Sequence, residues 1–206
     1  MGEKQQVKSP LQIIFRGLIL RITPASRMKL SLRTAPFDVK IDKLTRSVEN
    51  AKTGESFPTE VRRLTLLQAG KLARKQWLFN WVREAGDAER EVYQLNTVGN
   101  RSVVHGLISL ELMPDVVYMH LLESTAFNKG RGKQYLGVAG NLVAYACKRS
   151  FELGHDGEVA FESKTKLVDH YIASLGATQI RGNKLYIGTS AAIKLVKRYF
   201  HDYFPA

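Results

Sequence analysis

Residues 128–141 read Asn-Lys-Gly-Arg-Gly-Lys-Gln-Tyr-Leu-Gly-Val-Ala-Gly-Asn. A strand-like apolar run, Val116–Ala126, leads into this stretch, and a helical pattern leaves it and continues to about Leu153. Strand, glycine-rich basic loop and helix together suit a polyphosphate. Glycine permits close backbone approach. The first turn of the helix offers unpaired N–H groups and the positive end of its dipole. Between Ser124 and Phe151 stand five basic residues, Lys129, Arg131, Lys133, Lys148 and Arg149, and no acid. Their full charges add to the backbone donors. A basic connector without a ligand is the plainer reading of the same residues. The stretch is not a P-loop, because no Gly-Lys-Ser/Thr is present. It is not a dinucleotide fingerprint either, because no G-x-G-x-x-G fits and the preceding strand belongs to a meander.

Upstream, Glu91–Thr97, Ser102–Met113 and Val116–Ala126 are strand-like runs separated by turn signals at Val98-Gly99-Asn100 and Pro114-Asp115. Such short connections predict an antiparallel meander. Before them, Leu66, Ala69, Ala73, Trp77, Leu78 and Trp81 recur at helical spacing after a capping Thr65, and Gly86 ends the segment. One amphipathic helix is expected there, with Trp77 and Trp81 anchoring the core. From Phe37 a β-hairpin is expected: Val39 and Ile41 alternate with polar residues, Asn50–Gly54 turns, and Phe57–Leu64 returns, weakened by Pro58.

Downstream, Ala139, Val143, Ala146, Cys147 and Ser150 give the helix after the loop a face of small residues, so it can lie close to a sheet, with Lys148 facing away. Gly154 can stop it. Glu158–Ser163 reads as a strand, Leu167–Leu175 as a helix ended by Gly176, Lys184–Ile187 as a strand, and Ser190 to about Phe204 as a last helix. That helix pairs Ile193, Val196, Phe200 and Tyr203 with Lys194, Lys197 and Arg198. It is expected to pack on the sheet or in a homodimer contact; a basic nucleic-acid face is the other reading.

Composition bounds the rest. The chain has 206 residues, 44% of them hydrophobic, and a formal charge of +12, a surplus that favours phosphate-bearing partners. Residues 1–36 carry seven Lys or Arg and one acid, and read as a basic N-terminal extension before a domain at 37–206. Met28 lies inside that extension, so the functional chain could begin at either Met1 or Met28. The apolar run Leu11–Leu20 is interrupted by Arg16 and lacks an A-x-A site, which argues against a membrane span and a signal peptide. One cysteine excludes a disulfide framework and is compatible with a cytoplasmic protein. The five histidines show no H-x-x-x-H spacing, so no metal is expected.

Gln134-Tyr135-Leu136-Gly137-Val138-Ala139 fits Q/R-x-x-G-x-G/A, and here the sequence resembles the GNAT acetyltransferase superfamily. His170–Ala177 resembles the superfamily's Tyr-x-x-x-Gly-Phe segment, with one extra residue and Ala177 in place of Phe. The order of elements from Phe37 to Ile187 follows the superfamily as well. Trp77–Trp81, Glu123–Asn128 and Tyr135–Leu142 resemble a bacterial GNAT-like group more closely. The resemblance implies an α/β fold with a central mixed, mostly antiparallel sheet flanked by helices. It also implies acetyl-CoA as cofactor and N-acetyl transfer to an amine by direct attack.

Carried over by position, the resemblance places the CoA diphosphate on the backbone N–H groups of Leu136, Gly137, Val138, Ala139, Gly140 and Asn141. Gln134, Tyr135 and the basic loop with Lys129, Arg131 and Lys133 flank it. Leu122 to Ser124 would splay from the neighbouring strand and pair with the pantetheine arm. Lys164 stands where many relatives carry Asn, and its ammonium could meet a phosphate. Glu123 is the expected base and Tyr171 the expected acid. Each has a structural alternative: Glu123 as a salt-bridged carboxylate, Tyr171 as a core tyrosine. His120 is a further base candidate. A non-catalytic binding module of the same fold, contacting nucleic acid or protein through the basic surface, is the alternative function.

Overall fold

The computed structural model describes residues 38–45 and 47–204. The basic extension at 1–36 and its Met28 lie outside the described residues. In chain order the strands are β1 (Val48–Asn50), β2 (Ser56–Phe57), β3 (Thr59–Arg63), β4 (Arg90–Thr97), β5 (Gly106–Leu112), β6 (Val117–Ser124), β7 (Tyr135–Leu136), β8 (Val159–Glu162), β9 (Thr178–Arg181) and β10 (Lys184–Ile187). The α-helices are α1 (Leu66–Ala69), α2 (Trp81–Gly86), α3 (Val138–Glu152), α4 (Val168–Leu175) and α5 (Thr189–Tyr199).

Seven strands form one sheet in the order β3-β4-β5-β6-β8-β10-β9. Every pair in it is antiparallel except β6 with β8, which is parallel. The mixed, mostly antiparallel sheet flanked by helices is therefore present, and β4, β5 and β6 are the expected meander. The parallel pairing spans only Val117–Met119 against Val159–Phe161. Beyond Met119, β6 continues to Ser124 with no strand partner on that edge among the described residues. The register between β5 and β6 also slips between Ser109 and Leu110, leaving His120 as the extra residue of a bulge.

The chain leaves β6, turns through the basic loop and enters α3, which packs on β5, β6 and β8. Ala139, Val143, Ala146, Cys147 and Ser150 are all buried, as the small-residue face requires. The approach at its start is close enough that a Cβ at Gly106 of β5 would lie 2.8 Å from Val138. The last helix, α5, packs on α3 rather than directly on the sheet. Its buried residues are Ala192, Leu195, Val196 and Tyr199, and it ends at Tyr199, earlier than expected. Lys148, expected to face away, lies over the Phe200 and Tyr203 rings and pairs with Glu152.

Two expectations are corrected. The single helix over 65–86 is two short helices, α1 and α2, joined through a 3₁₀ turn at Arg74–Gln76. Thr65 and Gln68 close a capping box on α1, Gly70 follows it, and the Asn80 side chain caps α2 by accepting from Arg83 N. Trp77 and Trp81 are buried and meet edge to face at 6.2 Å, but Leu66 and Leu78 are exposed. The hairpin exists only as β1 with β2, turning through Asn50–Gly54. Residues 38–45 form no strand, because their backbone groups bond to side chains of other elements rather than to a neighbouring strand. Two strands went unforeseen: β9, with four exposed residues, and β7, which pairs with β1.

Candidate functional site

The unpaired end of β6, the basic loop and the start of α3 converge on a cavity of about 630 Å³. Leu122, Glu123 and Ser124 line it from β6, Lys129 and Lys133 from the loop, Ala139 from α3, and Lys164 from beyond β8. The remaining walls come from Leu78, Phe79 and Leu121, from Asn128 and Gly130, and from Asp38, Val39, Lys40 and Asp42. Of the sequence-predicted residues, Leu122, Glu123, Ser124, Lys129, Lys133, Ala139 and Lys164 thus share one cavity, whereas Tyr171, Tyr135, Leu136, Gly137, Val138, Gly140 and Asn141 are not among the residues lining it. Gln134 and Arg131 lie at the surface beside it.

Loop geometry is set by two residues that sequence reasoning passed over. Asn128 is buried; its Oδ1 accepts from Tyr135 N at 3.2 Å, and its Nδ2 donates to the His105 carbonyl at 3.2 Å and to Thr125 Oγ1 at 3.3 Å. The loop is thereby tied to β5 and delivered into β7. His105 is 1% exposed, and burial pushes its pKa down from 6.5 to about 4. Its ring meets the edges of Phe127 and Tyr135. Neither residue belongs to a periodic pattern; Asn128 is marked only as the end of the Glu123–Asn128 resemblance, and His105 only as a polar residue in the run Ser102–Met113.

Glu123 is 1% exposed and accepts four hydrogen bonds. Leu78 N and Lys129 Nζ donate to Oε1 at 2.7 and 2.5 Å, while Phe79 N and Trp81 Nε1 donate to Oε2 at 3.3 and 2.9 Å. The carboxylate thus fastens the stretch between α1 and α2 to the end of β6 and carries an ammonium on the cavity side. His120 is also buried, 2.6 Å from Glu111 through Nε2, and is not among the residues lining the cavity. Burial pushes its pKa down, and the hydrogen bond to the Glu111 carboxylate opposes that.

Tyr171 is 1% exposed and stacks edge to face on Phe161. Its hydroxyl donates to the Val39 carbonyl at 2.5 Å, and burial pushes its pKa up. Next to it, His170 Nε2 accepts from Ile41 N at 2.8 Å.

At the start of α3, Gly137 has φ +82° and donates its N–H to Asp42 Oδ1 at 3.1 Å. Lys133 Nζ donates to the other oxygen of Asp42 at 3.0 Å. A Cβ on Gly137 would collide with Thr45 Oγ1 and the Ser47 carbonyl. Gly137, Val138, Ala139, Gly140 and Asn141 are all buried. Leu136, expected among the diphosphate donors, is paired with Glu49 in the β1–β7 ladder. The donor set fits a phosphate: one helix-start N–H and one ammonium already hold an anion. Lys164 pairs with Asp38 at 2.5 Å, and this contact first of all holds the Asp38 carboxyl below its usual range.

Among the described residues, no group of three His, Cys, Asp or Glu could hold a metal ion, and no helix is long and apolar enough to cross a membrane. No protein-family model matches the chain, and no curated protein matches it significantly. Solved structures do. One is AtaTR bound with AcCoA, at 16% identity over 67% of this chain and 98% of that one, with a TM-score of 0.46. Another is the spermidine N-acetyltransferase of Vibrio cholerae in complex with CoA and spermine, at 15% identity over 66% and 98% of the chains, TM-score 0.45. A dodecameric form of the Vibrio cholerae enzyme matches at 14% identity over 64% and 94%, TM-score 0.45. On its strand order, its one parallel junction opening beyond Met119 and the helix that starts beside that opening, the chain has a GNAT-like fold.

Proposed function

We propose that this chain is an acetyl-CoA-dependent N-acetyltransferase that transfers the acyl group directly to an amine. The active domain of this reading is 37–206, preceded by the basic segment 1–36. One observation carries the proposal: at the start of α3 a backbone N–H and a lysine ammonium converge on a carboxylate, beside a strand edge left free. That is an anion site next to a peptide-like docking edge, as a diphosphate joined to an amide-bearing arm needs.

Acetyl-CoA supplies a thioester whose acyl carbon is open to attack by an amine. The chain supplies the remainder. Gly137 N–H and Lys133 hold phosphate charge at the positive end of α3, with Lys129, Arg131 and Lys164 adding to the field. Leu122 to Ser124 orient the arm through the unpaired edge of β6. Glu123 already seats an ammonium, that of Lys129, on its cavity-side oxygen. The acceptor's ammonium takes the same seat and loses its proton there, directly or through water. Tyr171, its pKa raised by burial, keeps its proton at neutral pH and holds it for the departing thiolate.

Binding is tested by thermal unfolding and calorimetry with acetyl-CoA, with Asp42→Asn run beside the wild type. A ligand at about 100 times its Kd stabilises by about 2.7 kcal/mol. Chemistry is tested by thiol release over a panel of amines, where Tyr171→Phe and Glu123→Gln should each lower turnover by at least about 10²-fold. If millimolar acetyl-CoA stabilises neither protein, the reading fails and a non-catalytic module contacting nucleic acid or protein takes its place.

A further inference from the structure

Residues 38–45 run along the groove that the acetyl-CoA reading assigns to the cofactor, with Asp38, Val39, Lys40 and Asp42 lining it. They form neither strand nor helix, yet several separate parts of the chain hold them. Lys164 pairs with Asp38, Tyr171 donates to the Val39 carbonyl, and His170 accepts from Ile41 N. Gly137 N–H and Lys133 bind Asp42. From α5, Arg198 Nη1 donates to the Leu44 carbonyl at 2.8 Å, and Tyr199 Oη accepts from Thr45 N at 3.2 Å.

Three of these partners are the groups a cofactor needs. Gly137 N–H and Lys133 are assigned to phosphate, and the Tyr171 hydroxyl to the sulfur. A backbone N–H carries one proton and so does a phenol, so neither serves this segment and a cofactor at once. The segment also copies the chemistry it excludes. It puts a carboxylate where phosphate charge would sit and a carbonyl oxygen where a thiolate would. Only Lys40 and Ile41 stand between Val39 and Asp42 in the chain. Ile41, between them, is buried in the main core at 6% exposure.

We infer that residues 38–45 are a displaceable strap, an internal mimic of the cofactor that occupies the groove's phosphate and sulfur donors until acetyl-CoA expels it; this rests on the acetyl-CoA reading above. The contacts from α5 to Leu44 and Thr45 lie outside the overlap and serve as the strap's hinge. A strap on those donors lowers apparent affinity by the fraction of molecules in which it is released. The protein then binds acetyl-CoA more weakly than its donor set allows, and weakening the strap tightens binding.

Hydrogen exchange and calorimetry on the full chain test this. In the free protein the amides of Ile41 and Thr45 are expected to be protected. Acetyl-CoA should raise exchange at Ile41 while α3 stays protected. Asp42→Asn, which keeps the shape of the side chain and removes its charge, should bind acetyl-CoA about tenfold more tightly than wild type. Binding to the variant alone is the extreme form of the same support. If acetyl-CoA binds wild type and Ile41 stays as protected as before, or if Asp42→Asn binds no more tightly, the strap is overturned and the acetyltransferase reading stands. If acetyl-CoA binds neither protein, both fall.

Discussion

Glu123→Gln separates a working carboxylate from a spectator, and its effect on stability follows from the four donors. Glutamine has one acceptor oxygen and one NH2 group at this place, so the NH2 must face either Leu78 N and Lys129 or Phe79 N and Trp81 Nε1. The first arrangement is less costly. Lys129, with 34% of its side chain exposed, turns to water, and only the Leu78 N–H is left without an acceptor. An orphaned buried N–H costs about 1–3 kcal/mol, and two bonds weaken from charge-assisted to neutral by about 0.5–1 kcal/mol more each. The total is about 3 kcal/mol. A domain of this size loses about 2–4 °C per kcal/mol, so the melting temperature should drop by about 6–12 °C. Lys129→Met leaves three N–H donors on the carboxylate and removes a partly exposed partner, so it should cost about 1 kcal/mol or less. Calorimetric unfolding of the three proteins, with hydrogen exchange at Leu78 and Phe79, reads both effects. A Glu123→Gln protein within about 1 kcal/mol of wild type, with those amides as protected as before, would refute the four-donor clamp and leave the tryptophans as the sole anchor of this stretch.

His105 makes stability pH-dependent in a definite direction. The folded protein keeps it neutral down to about 4, while the unfolded chain protonates near 6.5, so above 6.5 the two states bind the same proton count. Between 6.5 and 4 only the unfolded chain takes the proton; stability falls as pH falls, by about 3 kcal/mol at about 1.4 kcal/mol per pH unit, and His105→Asn should flatten that part of the denaturation profile. Gly140→Ala puts a Cβ against Tyr199 Oη and within 3.0 Å of Leu44 Cδ2, which should destabilise by about 1–3 kcal/mol. Tyr199→Phe removes the obstructing oxygen, so the double variant should be more stable than the sum of the single effects predicts, as urea titration will show. Trp81→Phe loses both indole bulk and the donor to Glu123; it should unfold at lower urea concentration than Trp77→Phe, whose indole nitrogen has no hydrogen-bond partner among the described residues.

What could be read from the sequence was what depends on local pattern. The meander followed from short turns between apolar runs, and the close approach of α3 from Ala139, Ala146, Cys147 and Ser150 on one side. What could not be read depends on partners distant along the chain. The spacing of Leu66, Ala69, Trp77 and Trp81 is as good for one helix as for two. Part of what holds the connection open is Glu123, 45 residues after Leu78, drawing the Leu78 and Phe79 N–H groups away from any helical ladder. Val39 and Ile41 alternate like a strand, but their backbone groups go to Tyr171 and His170, more than 125 residues away. In the candidate site, glycines and charges marked the loop, whereas Asn128 and His105, which tie it down, leave no periodic trace. The roles of Glu123 and Tyr171 were expected from resemblance, and the donors gathered on one and the burial of the other are what the structure adds.

The two segments that lie outside the matched motifs turn out to cover them. Gly137 and Gly140 are usually explained by a ligand's need for close backbone approach. In this chain they are required before any ligand is considered, because a Cβ at Gly137 meets Thr45 and Ser47, and one at Gly140 meets Tyr199 and Leu44. Leu44, Thr45 and Ser47 therefore press on the start of α3, together with Tyr199 of α5, whose hydroxyl accepts from Thr45 N. Burial pushes the Tyr199 pKa up to about 12, so that hydroxyl keeps its proton at neutral pH. A substitution at Gly137 consequently strikes the covering segment and the anion site together. Loss of acetyl-CoA binding in such a variant says little about which was damaged. Asp42→Asn strikes only the cover, and that is why its sign, tighter binding rather than weaker, is the informative one.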